Sequence, residues 1–312
     1  MQVNKIKCLV IFVFLTACTQ VRSVTLPEGI SLLEGIEPFG LQSPIWSPDG
    51  KRIVASYVIQ AMPDLIGFFG PEPRHDIVLI DTDTWTTSIF VHENAGNFMA
   101  EAWSPDSKSF AMFWSDGPNG SGIYVFEVDD AEPSYVSDFW GISPDWTKYA
   151  VANNSYLEVS NTEAETINKF KLPAEGSWTV SAWSIDMKVL TLIYRENEEA
   201  RFENIYLLDL ETAKFSQFTN DDQYFKNTAI ISPNGKLIAY RTTRFTEKHF
   251  EIKLIISRLD QSCEWTVPLD NIHYFAWSPD SQRMFLIGNE GVYLADLNVI
   301  LNHDFSNRNE CP

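Results

Sequence analysis

Basic residues are scarce: the 312-residue chain has 23 Lys and Arg against 42 Asp and Glu, a formal charge of -19. That balance excludes a nucleic-acid partner, which needs a Lys/Arg stripe to displace counterions. No apolar run is long enough to span a bilayer; the longest near the start, Cys8 to Leu15, has eight residues, where a stable anchor needs about 20. Enzyme signatures are missing too. There is no Gly-x-Ser-x-Gly elbow, since Gly120-Ser121-Gly122 lacks the required flanks. No Gly-x-x-x-x-Gly-Lys or Gly-x-Gly-x-x-Gly cradles a phosphate. The five histidines (His75, His92, His249, His273, His303) are scattered, with no His-Glu-x-x-His pair for zinc. Asp81-Thr82-Asp83 and Asp221-Asp222 lack the Gly and distal Glu of a calcium loop and read as solvated turns. No catalytic residue, metal site or cofactor is expected. Glycine is also sparse, at 15, whereas Trp numbers 10 and Phe 21. With 45% hydrophobic and 21% charged residues the chain is globular, and its aromatics hint at a repeated packing unit.

The first residues read as a processing signal. Lys5 and Lys7 form a short basic region, followed by the apolar run and then Leu15-Thr16-Ala17-Cys18. This stretch resembles the bacterial lipobox, which implies cleavage before Cys18 and a lipid on its thiol. The division that follows is residues 1–17 signal peptide, 18–29 lipidated cysteine and tether, and 30–312 a single domain. Thr19 stands where an Asp would resemble an inner-membrane retention signal, so an outer membrane is favoured if the host has one. A non-lipidated signal peptide is the alternative. Cys8 would leave with the signal and Cys18 would take lipid, leaving Cys263 and Cys311. In an oxidising compartment these read as one disulfide, or as two unpaired thiols, because spacing alone does not show proximity.

One unit then recurs six times: Trp46-Ser47-Pro48-Asp49-Gly50, Trp103-Ser104-Pro105-Asp106-Ser107, Ile142-Ser143-Pro144-Asp145-Trp146, Trp183-Ser184-Ile185-Asp186-Met187, Ile231-Ser232-Pro233-Asn234-Gly235 and Trp277-Ser278-Pro279-Asp280-Ser281. The spacing is roughly 40–50 residues, with a longer first interval, which is the period of four short strands in a propeller blade. Pro sets the first central φ of a β-turn, and Ser and Asp bond local amides. A β-rich run follows each turn, such as Arg52-Ile53-Val54-Ala55 and Leu237-Ile238-Ala239-Tyr240. The Trp before the turn reads as inter-blade packing.

These units resemble the TolB-type, WD-repeat-like family of β-propellers. The resemblance implies an all-β, six-bladed propeller with four antiparallel strands per blade. It also implies protein partners in the cell envelope, and it is specific for fold but not for function. Departures at Trp146, Ile185, Met187 and Asn234 leave the type of those turns open. Ring closure needs a further strand, because an unpaired edge is a liability. The fifth repeat's outer strand begins near Cys263, fifteen residues before Ser278; the same count back from Ser47 reaches Leu32, so Ile30 to Leu33 is expected to complete the sixth blade.

Two features are candidates for function. The long connection from Gln60 to Arg74 carries Met62, Leu65, Ile66, Phe68 and Phe69. It is either a partner contact or a plug that buries its own rings. An aromatic precedes or opens each first strand: Phe39, Phe98, Phe139, Trp178, Phe225 and Tyr274. These either ring the channel mouth and stack on a ligand or serve as ordinary packing. The reading is a lipid-anchored extracytoplasmic propeller that binds an envelope protein or small ligand as a scaffold. The rival is a propeller lyase or hydrolase acting on saccharides or peptides, which clustered His, Arg and carboxylates at the channel would favour.

Overall fold

The computed structural model describes residues 25–59, 74–137, 141–153, 155–200, 202–245 and 250–302. Along the chain, β1 (Ile30–Leu32) precedes the first blade, β2 (Leu41–Trp46), β3 (Arg52–Ile59), β4 (Arg74–Asp81) and β5 (Thr87–Ala95). The second blade is β6 (Phe98–Trp103), β7 (Ser109–Gly117), β8 (Gly120–Glu127) and β9 (Asp130–Ser137). The third has β10 (Lys148–Ala152), β11 (Tyr156–Asn161) and β12 (Thr166–Lys171). Its first strand is reduced, among the described residues, to the bridge Ile142–Tyr149. The fourth is β13 (Ser177–Trp183), β14 (Val189–Arg195), β15 (Asn204–Asp209) and β16 (Lys214–Gln217). The fifth is β17 (Phe225–Ile231), β18 (Leu237–Phe245), β19 (Phe250–Arg258) and β20 (Glu264–Thr266). The sixth holds β21 (Ile272–Trp277), β22 (Arg283–Gly288) and β23 (Val292–Asp296), and a short helix, α1 (Leu297–Ile300), follows. Each sheet is an antiparallel meander, which makes the fold a six-bladed β-propeller.

The sixth sheet has the order β1-β23-β22-β21, so the N-terminal strand closes the ring. Ile30 stands opposite Ala295 and Leu32 opposite Tyr293. The Leu33 amide donates to the Val292 carbonyl at 2.8 Å and the Asp296 amide to that of Gly29 at 2.7 Å. Gly29 has φ +80, and a Cβ there would meet the Cβ of Val299 at 2.9 Å, so the approach requires glycine. Residues 298–301 add no strand. They belong to α1 and its cap, with Asp296 accepting from the Asn298 amide and Leu297 and Ile300 buried.

All six turns share one geometry despite their sequence departures. Ser47 Oγ donates to Asp49 Oδ1 at 2.6 Å and accepts from the Arg52 amide at 3.0 Å. Ser104, Ser143, Ser184, Ser232 and Ser278 repeat the pattern with Asp106, Asp145, Asp186, Asn234 and Asp280. The last turn residue is left-handed in every copy: Gly50 (φ 76), Ser107 (60), Trp146 (61), Met187 (59), Gly235 (69) and Ser281 (60). The serines use that strained position. Ser107 Oγ accepts from the Asp49 amide of the preceding blade at 3.0 Å, and Ser281 Oγ from that of Asn234 at 2.9 Å.

The core is six wedges, one at each joint between blades. Three joints also carry the same polar stitch. Trp103 Nε1 donates to the Ile45 carbonyl at 2.9 Å, Trp183 to Gly141 at 2.8 Å and Trp277 to Ile230 at 3.1 Å. Each acceptor directly precedes the Trp-equivalent position of the neighbouring blade. The third and fifth blades have Ile142 and Ile231 there, so their joints with the preceding blade lack this donor. At the joint between blades four and five, Thr191 Oγ1 donates to the Ala229 carbonyl at 2.6 Å and Ser181 Oγ accepts from the Ala229 amide at 2.8 Å. At the ring closure Trp46 turns to its own Gly50 carbonyl, Trp85 stacks on Phe285 at 6.2 Å, and Arg283 lies over Trp46 at 5.4 Å. The wedge between blades two and three is small, with Ala111, Phe113, Ile123, Ile142 and Tyr149 buried.

Candidate functional site

First strands of adjacent blades touch one another, β2 against both β6 and β21 and β13 against β17, so they ring the axis. Five of these strands break register: between Gln42 and Ile45, Ala100 and Ala102, Val180 and Ala182, Asn227 and Ile230, and Ile272 and Tyr274. A bulge leaves its extra residue outside the ladder. Ser43, Glu101, Ser181, Thr228 and His273 are thereby released from strand pairing, and Glu101, Ser181 and the His273 carbonyl bond to neighbouring blades. Glu101 accepts a hydrogen bond from the Gly141 amide of blade three, and burial pushes its carboxyl up to about 7 against that bond. Arg241 donates from Nε to Asn227 Oδ1 at 2.6 Å and from Nη1 to the His273 carbonyl of blade six, with its guanidinium 5.9 Å from the centre of the Tyr274 ring. Burial lowers the pKa of Arg241, and burial raises that of Tyr274, opposed by Arg241. Sequence reasoning missed Glu101 and Arg241, because a bulge has no sequence signature here.

The aromatics that open the first strands do not form one ring. Phe98 is 1% exposed inside the wedge between blades one and two. Trp178 is buried between blades three and four, where its Nε1 donates to the Ala174 carbonyl at 3.0 Å. For both the packing alternative holds, because each points into a wedge and offers no face to a ligand. Tyr274 is half-buried beneath Arg241. Phe139 lies outside the described residues. Phe39 is 62% exposed and Phe225 half-buried, both on the face opposite the serine turns.

Phe225 belongs to an aromatic chain that the sequence reading left unassembled. Its ring meets Phe245 at 5.1 Å, and Phe245 meets Phe250 at 4.9 Å, both edge to face. Phe245 and Phe250 are 58% and 60% exposed at the end of the β18–β19 hairpin, and Arg195 lies 5.6 Å over Phe225. Adjacent exposed phenyl rings at the ends of two paired nine-residue strands form an apolar surface. The signal in the sequence was the length of those two strands.

The other assigned residues are placed as follows. Met62, Leu65, Ile66, Phe68, Phe69, Cys18 and Cys311 lie outside the described residues. Cys263 is fully buried in the wedge between blades five and six, just before β20. Asp81 accepts from the Thr84 amide and hydroxyl and the Asp83 amide, bonds that hold its carboxyl below the usual range. Among the described residues no three His, Cys, Asp or Glu side chains cluster so as to hold a metal ion. Among them, too, no helix is long and apolar enough to cross a membrane.

Fold and surface together define a β-propeller with a knitted channel wall and one exposed aromatic edge. Solved structures of similar fold include TolB from Acinetobacter baumannii, 16% identical over 79% of this chain and 64% of that one, with a TM-score of 0.54. A manganese complex of oligogalacturonate lyase is 13% identical over 86% of this chain and 92% of that one, with a TM-score of 0.52. The Cps50 (Swd1) propeller domain from Myceliophteria thermophila is 10% identical over 86% and 99%, with a TM-score of 0.59. At such identities the likeness is one of fold. No family profile and no curated protein matches the sequence.

Proposed function

We propose that the chain is a lipid-anchored, extracytoplasmic binding scaffold of the cell envelope, held at Cys18 and presenting the face opposite its serine turns to a protein partner. The observation that carries this reading is the exposed chain Phe225–Phe245–Phe250. Exposed contiguous aromatics mark interaction sites, and aromatic anchors dominate interface energetics. The segment carrying Met62, Leu65, Ile66, Phe68 and Phe69 lies between β3 and β4 in the sequence, and we propose it as a further contact. The anchor rests on Lys5, Lys7, the apolar run and Leu15-Thr16-Ala17-Cys18. It would place the tether at the outer edge of blade six, where β1 begins. Pairing of Cys263 with Cys311 would staple the C-terminal tail to blades five and six, and the complete burial of Cys263 supports it.

The lyase or hydrolase reading is weaker because Arg241, a cation on the channel wall, is engaged by Asn227 and the His273 carbonyl. Its bond to the His273 carbonyl joins blade five to blade six. The test of the scaffold reading is the double variant Phe245→Ala, Phe250→Ala, recovered from detergent-solubilised envelope by its tag. Loss of co-purifying partners at unchanged melting temperature is expected, with a cost on the order of 2 kcal/mol or more in binding. Undiminished partners would refute it. Cys18→Ser should separately abolish lipid labelling and cleavage before residue 18.

A further inference from the structure

We propose that the cleft between the fourth and fifth blades binds an uncharged pyranose, one or two rings of a glycan. The cleft has a volume of about 560 Å³, within the roughly 300–1,000 Å³ typical of small-ligand sites. Its Tyr224 end adjoins the aromatic hairpin, since Tyr224 precedes Phe225 and Arg244 precedes Phe245. Blade four supplies Thr219, Asn220 and Asp221, and blade five supplies Tyr240, Thr242 and Glu264, with Tyr224 at one end.

The two lysines there are already matched. Lys226, 1% exposed behind the cleft, donates to Asp221 Oδ2 at 2.6 Å and to the Glu203 and Tyr224 carbonyls at 3.2 and 3.4 Å. Lys253 pairs with Glu251 at 2.8 Å, and Tyr240 donates its hydroxyl to Glu264 at 2.8 Å. An anionic ligand would have to break one of these ion pairs, at the cost of a stranded charge, and would face the Glu264 carboxylate. A ligand of neutral hydroxyls does not. Carboxylates accept about four hydrogen bonds each, so Asp221 and Glu264 can take hydroxyl donors while keeping their present partners. Asp221 Oδ1 is itself held by the Gln223 and Tyr224 amides at 3.2 and 3.3 Å, which fixes its direction before any ligand arrives. The Tyr224 ring is backed by the Arg244 guanidinium at 5.8 Å and lines the cleft as a platform for the apolar face of a sugar. Hydroxyl-rich walls, prepaired lysines, carboxylates with acceptor capacity to spare and a backed aromatic together favour a polyhydroxylated ring without negative charge.

The test is calorimetric titration of the full detergent-solubilised protein with maltotriose, cellotriose and chitotriose, with glucose and N-acetylglucosamine as single-ring probes and trigalacturonate as the charged control. At least one neutral probe should bind with a millimolar or tighter dissociation constant. A free sugar would be indicated by equal affinity for one ring and three, a glycan chain by tighter trisaccharide binding. Tyr224→Ala should weaken binding about tenfold. Thr242→Val, which keeps the strand's shape, should weaken it about threefold at unchanged melting temperature. No binding by any neutral probe at millimolar concentration would overturn the proposal. So would tighter binding of trigalacturonate, or a Tyr224→Ala protein that binds as the parent does. Thr242→Val leaves Tyr224 and Phe225 in place, so its effect on sugar binding is read separately from the aromatic face.

Discussion

Replacing Glu101 with glutamine should convert a pH-dependent weakness in the ring into a constant. Glu101 sits at the bulge of β6 and faces the small wedge between blades two and three, a joint without a tryptophan stitch. Desolvation pushes its carboxyl from an ordinary 4.5 up to about 7, although the Gly141 amide opposes that rise. The folded state therefore holds a proton that the unfolded chain has released between pH 4.5 and 7. Stability from this group is fully present below the lower value and is lost as pH rises through the upper one. Linkage sets the loss at no more than about 3 kcal/mol, and partial contact of the side chain with water brings it to about 2 kcal/mol. His75 works the other way. Burial lowers its pKa below 6.5, opposed by Asp76, so its contribution is lost as pH falls. Subtracting parent from variant cancels that background. Denaturant unfolding of both proteins between pH 4.5 and pH 8 should give near-equal stability at the acid end and a Glu101→Gln protein more stable by about 2 kcal/mol at the alkaline end. Glutamine keeps an acceptor for the Gly141 amide, so a lost hydrogen bond does not confuse the result. A difference that stays constant with pH would show that Glu101 is not desolvated by the joint, and the reasoning would fail.

Four further perturbations have definite expected outcomes. Trp103→Phe removes the bond to the Ile45 carbonyl and should cost about 1–2 kcal/mol in chemical denaturation. Ala213→Gly, at an exposed turn residue with φ 56, should stabilise by about 0.5–1 kcal/mol, because glycine carries no Cβ penalty there. Ser281→Gly, at the same kind of backbone angle, should destabilise, since it breaks the bond to the Asn234 amide; calorimetric melting of the two variants separates these signs. Deleting Ile30 to Leu33 removes two buried apolar side chains and bares β23, at a cost of about 3–6 kcal/mol. A melting temperature equal to the parent's would mean that the ring closes otherwise.

The blade count and closing strand were legible because the serine turn is a local hydrogen-bonded device whose residue types recur at a fixed period. Counting fifteen residues back from Ser47 reached β1 for the same reason: blade geometry fixes the distance from outer strand to next turn. The departures at Trp146 and Met187 left the turn type open, but the Ser–Asp bonds impose one backbone, and both residues take φ near 60 despite its strain. The channel wall was not legible. Bulges flip the pleat within five of the first strands, so position relative to the turn does not tell whether an aromatic points to the axis or into a wedge. Phe98 and Trp178 went inward for that reason, whereas Phe225 stayed near the surface. The exposed ring chain requires the pairing of Phe245 with Phe250 across β18 and β19, which only a settled register supplies.

Site-specific photo-crosslinking in the intact envelope tests the scaffold most directly, with the reactive group placed at Phe250 in one protein and at Lys51 in another. Phe250 lies at the aromatic hairpin tip, whereas Lys51 lies beside a serine turn on the opposite face. The account predicts a discrete crosslinked protein from Phe250 and none from Lys51. Adducts from Lys51 alone, or equal adducts from both, would contradict it.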